Sequence, residues 1–272
     1  MTPDTKLDII LVGCGQMGRA MLSGWIKSDI IKSCHIVDPG IAEAPFDHDA
    51  LKIHKDTSNI PKTTDVVVFA VKPQIMADVI PNYSGLMDSA VGISIAAGAP
   101  ISLFEKTFGQ NSQMIRVMPN TPAAIGEGIT ALYAKPAVSE SARTIAEKLN
   151  VSLGPFLWCE QEDQMHHITA LSGSGPAYVF YLIEAMAKAG EKLGLSPRDA
   201  MSLARQTVIG AAALVKSSPD KTAEDLRKAV TSPNGTTAAG LGVLMQTDDG
   251  LDDLMVKALK AASDRSKALA QE

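Results

Sequence analysis

Hydrophobic positions follow two different patterns along the chain, and the change falls near residue 160. In the first part the apolar residues come in short continuous runs closed by glycine or proline, the pattern of strands covered on both faces. Ile9–Val12 is the first such run, and Met17, Ala20, Met21 and Leu22 continue beyond it at helical spacing. A β-rich run at His35–Val37 follows, then a polar, proline-punctuated stretch over 39–62 that reads as irregular, with His48 and His54 solvated. Val66–Val71 predicts a central strand, Val91–Ile95 another, and Ile101–Phe108 a helix. Met114–Val117, Ile129–Tyr133 and Pro155–Trp158 complete the strands, with an amphipathic helix over Ser139–Leu149. Strands alternating with helices imply an α/β layer with a parallel sheet.

From Gln161 onward the β signals stop. Met165, Ile168, Thr169 and Leu171 predict a helix that meets Ser172-Gly173-Ser174-Gly175-Pro176. The following stretch, Ala177–Leu193, is apolar on almost every face and needs a partner to cover it. A homodimer is the economical answer, because two-fold self-association buries such a surface symmetrically. His166 and His167 read as packed or surface residues beside it. Ser196-Pro197-Arg198-Asp199 and Thr222-Ala223-Glu224-Asp225 have the form of helix starts, and a last amphipathic helix runs over Leu251–Ala270. The expected fold is therefore an α/β Rossmann-type nucleotide-binding domain over 1–160, followed by an all-α dimerisation and substrate domain over 161–272.

Candidate chemistry starts at the first strand, which ends in Gly13-Cys14-Gly15-Gln16-Met17-Gly18, the G-x-G-x-x-G spacing. Glycine lets a pyrophosphate approach the N–H groups at the positive end of the next helix, where Gln16, Met17 and Gly18 begin. Asp38 ends the second run, twenty residues past Gly18, where a carboxylate can accept from a ribose diol. Lys72, at the carboxyl end of the Val66–Val71 strand, is placed beside a ligand, and Asn120 follows a strand at the same edge. Ala97 and Gly98 leave room for a flat ring. In the second half Thr231–Thr237 brings hydroxyls and free N–H groups to a helix start, a pocket suited to a carboxylate.

Composition narrows the partners. A net charge of -5 with no cluster of Lys or Arg disfavours nucleic acid. The 3 cysteines form no C-x-x-C pair, which points away from disulfides and zinc and toward a reduced, cytoplasmic setting. No export signal or membrane span is read, since Ala177–Ala189 is broken by Glu184 and Lys188.

The glycine run, Ala70-Val71-Lys72-Pro73, Met118-Pro119-Asn120-Thr121-Pro122, Leu171–Ala177 and Thr231-Ser232-Pro233-Asn234-Gly235-Thr236-Thr237 together resemble the pyrroline-5-carboxylate reductase family over nearly the whole chain. That resemblance implies reduction of the cyclic imine Δ1-pyrroline-5-carboxylate to proline with NADPH or NADH, in dimers or assemblies of dimers. It implies coenzyme contacts at Ala70, Val71, Lys72 and Pro73, and a catalytic hydroxyl at Thr237. It also implies a substrate carboxylate held near Ser232, Asn234, Gly235 and Thr236. Glu162 matches a family position that contacts substrate, although a solvated acid at a helix start fits it as well. The chemistry of the residues agrees. Oxidising an alcohol needs a general base, yet the helix after Pro176 has no lysine before Lys188, whereas an imine arrives already electrophilic.

Two departures stand out. Asp38 occupies a position where the family often has groups that accept a 2′-phosphate, so NADH is expected to be preferred. Asn234 replaces the usual glycine, and asparagine tolerates left-handed backbone. An imine reductase or hydroxyacid dehydrogenase for another small acid, or a nucleotide sensor without turnover, are the alternatives.

Overall fold

Eight strands form one sheet in the computed structural model, which describes residues 5–270. They are β1 (Leu7–Val12), β2 (Ile31–Val37), β3 (Leu51–His54), β4 (Val66–Phe69), β5 (Val91–Ser94), β6 (Met114–Met118), β7 (Thr130–Ala134) and β8 (Phe156–Trp158), in the order β3-β2-β1-β4-β5-β6-β7-β8. The strand order reverses beside β1, with β2 on one side and β4 on the other. This is the switch point where ligands lie against the carboxyl ends of strands.

The sheet departs from the all-parallel expectation at β7, which runs antiparallel to β6, and at β8, which follows β7 in parallel. The reason lies in the connections. Residues 119–129 hold only a short 3₁₀ turn, too little for a crossover, so β7 returns antiparallel. Between β7 and β8 the helix α4 (Glu140–Val151) supplies a crossover, with Ser139 capping it as its hydroxyl accepts from the Ala142 N–H. The strand β3 also falls inside the stretch read as irregular, and His54, expected to be solvated, stacks on His35 of β2 with ring centroids 5.0 Å apart.

Alternate strand residues feed opposite faces of the sheet. Leu7, Ile9 and Leu11 pack with Met21, Leu22 and Trp25 of α1 (Gln16–Lys27) and with Ile145 and Leu149 of α4. Ile10, Val12, Val67 and Phe69 pack on the other face with Met76 of α2 (Pro73–Val79), Ile80 and Tyr83 of the 3₁₀ turn after it, and Phe104 of α3 (Ile101–Phe108). The buried Trp25 indole donates to the Leu149 carbonyl at 2.8 Å, tying α1 to α4.

The chain divides into two compact units, 1–174 with 262–272, and 175–261. The first unit thus extends past the division expected at 160: α5 (Gln164–Ile168) and a π-helical turn over Thr169–Gly173 belong with the sheet. The last residues of α10 (Leu251–Leu269) are joined to α5 there by His166–Ser266 and His167–Ser263 hydrogen bonds of 2.9 and 3.0 Å, with His166 buried and His167 at the surface.

The second unit is helical throughout: α6 (Gly175–Lys192), α7 (Pro197–Ser217), α8 (Ala223–Ala229), α9 (Thr236–Leu244) and the start of α10. Ser196 caps α7 through the Asp199 N–H, and Thr222 with Asp225 forms a full capping box on α8. Its internal core is small: Ala187, Ala200 and Ala204, with Ile183 against them. Among the described residues no helix is long and apolar enough to cross a membrane.

Candidate active site

The turn after β1 is built for a backbone-to-ligand contact. Gly13 has φ of +86°, and a Cβ there would stand 2.8 Å from Val71 Cγ1 and 3.0 Å from the Ala70 carbonyl oxygen. A Cβ on Gly18 would sit 2.8 Å from the Gly13 carbonyl oxygen, so the third glycine lets α1 approach the turn. Gly15 differs from both, because nothing lies within 4 Å of where its Cβ would be. It is the N-cap of α1 and no side chain caps the helix, which leaves the first N–H groups, including those of Gln16 and Met17, directed at open space. An uncapped positive helix end beside an open glycine fits the pyrophosphate of a dinucleotide.

Asp38 stands next to this turn, and its two oxygens accept from the Cys14 N–H and the Gly40 N–H, each at 2.8 Å. The carboxylate is thereby fixed at the end of β2, with lone pairs left for a diol. Cys14 is inert. Burial pushes its thiol pKa up, the nearby Arg19 opposes the rise, and the charge of Asp38 adds to it.

Across the switch point Ala70 joins the Val12 carbonyl through its N–H at 2.7 Å, and Val71 touches the Gly13 turn. Lys72 is exposed at the start of α2, with Pro73 at the first helical position. At the end of β5, Ala97 is half-buried, while the space beside Gly98 is taken by the end of α10: a Cβ on Gly98 would be 3.1 Å from Leu269 Cβ. The room expected for a flat ring at Gly98 is therefore smaller than the sequence implied. The amide of Asn120, expected to face a ligand, turns into the fold instead. Its oxygen accepts from the Ile129 N–H at 3.0 Å and its nitrogen donates to the Ser172 carbonyl at 3.3 Å, pinning the loop between β6 and β7.

Glu162 is not the solvated acid that one reading of the sequence allowed. Its Oε1 accepts both from Arg116 Nη1 of β6 at 2.9 Å and from the Ile101 N–H of α3 at 2.8 Å. The Arg116 side chain is only 4% exposed. Sequence reasoning passed over Arg116, although a lone cation inside the apolar run Met114–Val117 was the available signal.

In the helical unit, residues 231–237 form the loop and first turn of α9. Asn234 has φ of +57°, the left-handed conformation anticipated for it. Gly235 is the N-cap, with no side-chain cap on the helix, and Thr236 and Thr237 are its first two helical residues. A Cβ at Gly235 would lie 2.3 Å from the Ser232 hydroxyl, so the missing side chain is what lets that hydroxyl sit against the helix start. The loop thus brings together free N–H groups and the exposed hydroxyls of Ser232, Thr236 and Thr237.

Known proteins are similar to this chain along nearly all of its length. Residues 162–269 match the family model for pyrroline-5-carboxylate reductase dimerisation, and residues 8–98 match that for NADP oxidoreductase, coenzyme F420-dependent. A pyrroline-5-carboxylate reductase of Pseudomonas aeruginosa is 39% identical over 269 residues, covering 97% of each chain. The solved structure of a pyrroline-5-carboxylate reductase from Coxiella burnetii superposes with a TM-score of 0.89 at 34% identity, over 98% of this chain and 99% of that one. A Plasmodium falciparum pyrroline carboxylate reductase with NADP bound gives 0.82 at 31% identity, over 97% and 98%. With a nucleotide turn, a hydroxyl-bearing helix start and full-length likeness in one chain, this protein belongs to the pyrroline-5-carboxylate reductase family.

Proposed function

We propose that this protein reduces Δ1-pyrroline-5-carboxylate to L-proline with a reduced nicotinamide coenzyme, as a homodimer. The observation that carries the reading is the 39% identity to a relative of that name across 97% of both chains. When bound, the reduced nicotinamide supplies the hydride that the imine carbon takes up.

The remaining work falls to residues of this chain. The uncapped N–H groups of α1 and the turn of Gly13, Gly15 and Gly18 hold the pyrophosphate, with Asp38 at the adenosine ribose. Ala70, Val71, Lys72, Pro73 and Ala97 line the carboxyl edge where the reactive ring lies. On α9, the N–H groups around Asn234, Gly235 and Thr236, with the Ser232 hydroxyl, hold the substrate carboxylate. The Thr237 hydroxyl hydrogen-bonds the ring nitrogen, which gains a proton as the C=N bond becomes a C–N bond.

Asp38 favours NADH, because a fixed carboxylate repels the 2′-phosphate of NADPH. Steady-state oxidation of NADH and NADPH with pyrroline-5-carboxylate tests substrate and coenzyme together. No substrate-dependent oxidation refutes the activity, and a higher kcat/KM for NADPH refutes the role of Asp38. A hydroxyacid dehydrogenase is disfavoured on α6, whose nearest lysine, Lys188, is exposed and pairs with Glu184 at 3.6 Å.

A further inference from the structure

The helix α3 starts without a cap of its own. Its N-cap is Pro100, which has no side-chain acceptor. The first helical N–H, that of Ile101, is satisfied by Glu162, 61 residues further along the chain. The same oxygen accepts from Arg116 in the middle of the sheet, so one carboxylate joins β6, the start of α3 and the segment after β8. Directly before Ile101 lies the turn Ala96–Pro100, which includes Gly98 at φ of +77°. That turn leaves β5 at the carboxyl edge of the sheet, beside β4, which alone separates it from β1. A second piece of the later chain bears on it as well, since Leu269 packs against Gly98. The end of α10 that carries Leu269 is held by the His166–Ser266 and His167–Ser263 hydrogen bonds and by Lys267 on Asp163 at 3.1 Å.

The geometry points to Glu162 as a positioning residue: by capping α3 from a distance and anchoring to Arg116, it fixes the β5–α3 turn against which the nicotinamide end of the coenzyme rests. This rests on the reading of the sheet edge as the coenzyme site and assigns Glu162 a part distinct from touching the substrate. Glu162 suits the task because a carboxylate at a helix start forms a charge-assisted hydrogen bond and meets the positive end of the helix dipole. The buried arginine keeps that carboxylate from swinging away, and Glu162 in turn neutralises Arg116.

The test compares Glu162→Ala and Glu162→Gln with the unaltered chain. Binding of NADH and NADPH is followed by fluorescence titration without substrate, and KM and kcat are measured with pyrroline-5-carboxylate. Glu162→Ala is expected to weaken coenzyme binding roughly ten- to a hundredfold, the range of a lost charged hydrogen bond, with little change in KM for the imino acid. Glu162→Gln keeps an acceptor for the Ile101 N–H and is expected to recover part of that loss. If the alanine variant does not fold, the glutamine variant alone decides, with weaker coenzyme binding as the expected result. A raised KM for the imino acid with unchanged coenzyme binding overturns the proposal in favour of direct substrate contact. A lowered Tm with both constants unchanged reduces Glu162 to a structural prop and overturns it equally. Because the titration needs no turnover, a chain that failed to reduce the imino acid would refute the proposed activity while leaving the positioning role open to measurement.

Discussion

The two compact units are built on opposite economies of burial. In the first, the central strands of the sheet are covered on both faces, and even the indole of Trp25 has its N–H satisfied. In the second, the internal core is three alanines and part of an isoleucine, while Phe180 and Tyr181 of α6 are 61% and 66% exposed. Leu203, Ile209 and Leu214 of α7 and Val243 and Leu244 of α9 are exposed as well. The sheet unit carries two large clusters of buried apolar side chains, one on each face of the sheet. The helical unit leaves much apolar surface outside its own small core, and under the proposed homodimer a second copy covers part of it. The difference teaches that burial is supplied largely within the first unit, whereas the second, most of which falls in the match to the dimerisation family model, holds little of it by itself.

The largest effect that could break this contrast comes from placing charge on the exposed face of α6. A Phe180→Lys, Tyr181→Glu double variant should weaken dimerisation by on the order of a thousandfold, because two aromatic side chains are lost from the interface in each of two copies. Sedimentation should show monomers, and an intact dimer at low concentration would mean that α6 is not the interface. Next in size, Thr237→Ala should lower kcat by about a hundredfold, in the range of a single proton-transfer group, while coenzyme affinity and Tm hold. Unchanged turnover would remove Thr237 from the reaction.

Within the sheet unit the glycines sharpen the distinction between folding and binding. Gly13→Ala meets both a positive φ and the Val71 side chain, so Tm should fall by the equivalent of roughly 2 kcal/mol. Gly15→Ala projects into open space, so Tm should stay while coenzyme affinity drops about tenfold. Equal behaviour of the two variants in both measurements would show that Gly15 is not a point of ligand approach.

The smallest effect is one of pH. Burial, with the adjacent charges of His54 and Lys52, lowers the His35 pKa, and Asp8 opposes that only in part. The folded chain therefore keeps His35 neutral where the unfolded chain, with a pKa of about 6.5, would bind a proton. Its contribution to stability is complete above that value and is lost as the pH falls through the folded pKa. His35→Gln should flatten the dependence of Tm on pH below about 6.5, and an unaltered slope would assign it to other groups.

Legibility in the sequence followed the range of the forces involved. The strand β4 was plain, because burial on both faces demands an unbroken apolar run. The caps on α7 and α8 were plain too, since a hydroxyl and its N–H target lie three residues apart. Leu51-Lys52-Ile53-His54 was missed because a four-residue edge strand in polar surroundings carries almost no periodic signal. The reversal at β7 was missed because direction depends on what joins two strands, not on the strands themselves. At the site, the glycine turn and the α9 loop are local and were read directly. The contacts of Glu162 with Ile101 and Arg116 span 61 and 46 residues, and no spacing rule reaches that far.

The sheet ends in strands of four and three residues, β3 and β8. Lys52 stands exposed on the first border, and at the second the Arg143 guanidinium lies 4.8 Å from the ring centre of Trp158. Borders so brief, with cations beside them, give a foreign strand little purchase for zipping on. Growth by edge-to-edge addition of strands, of the kind that builds fibrils, is thereby discouraged at both borders of the sheet.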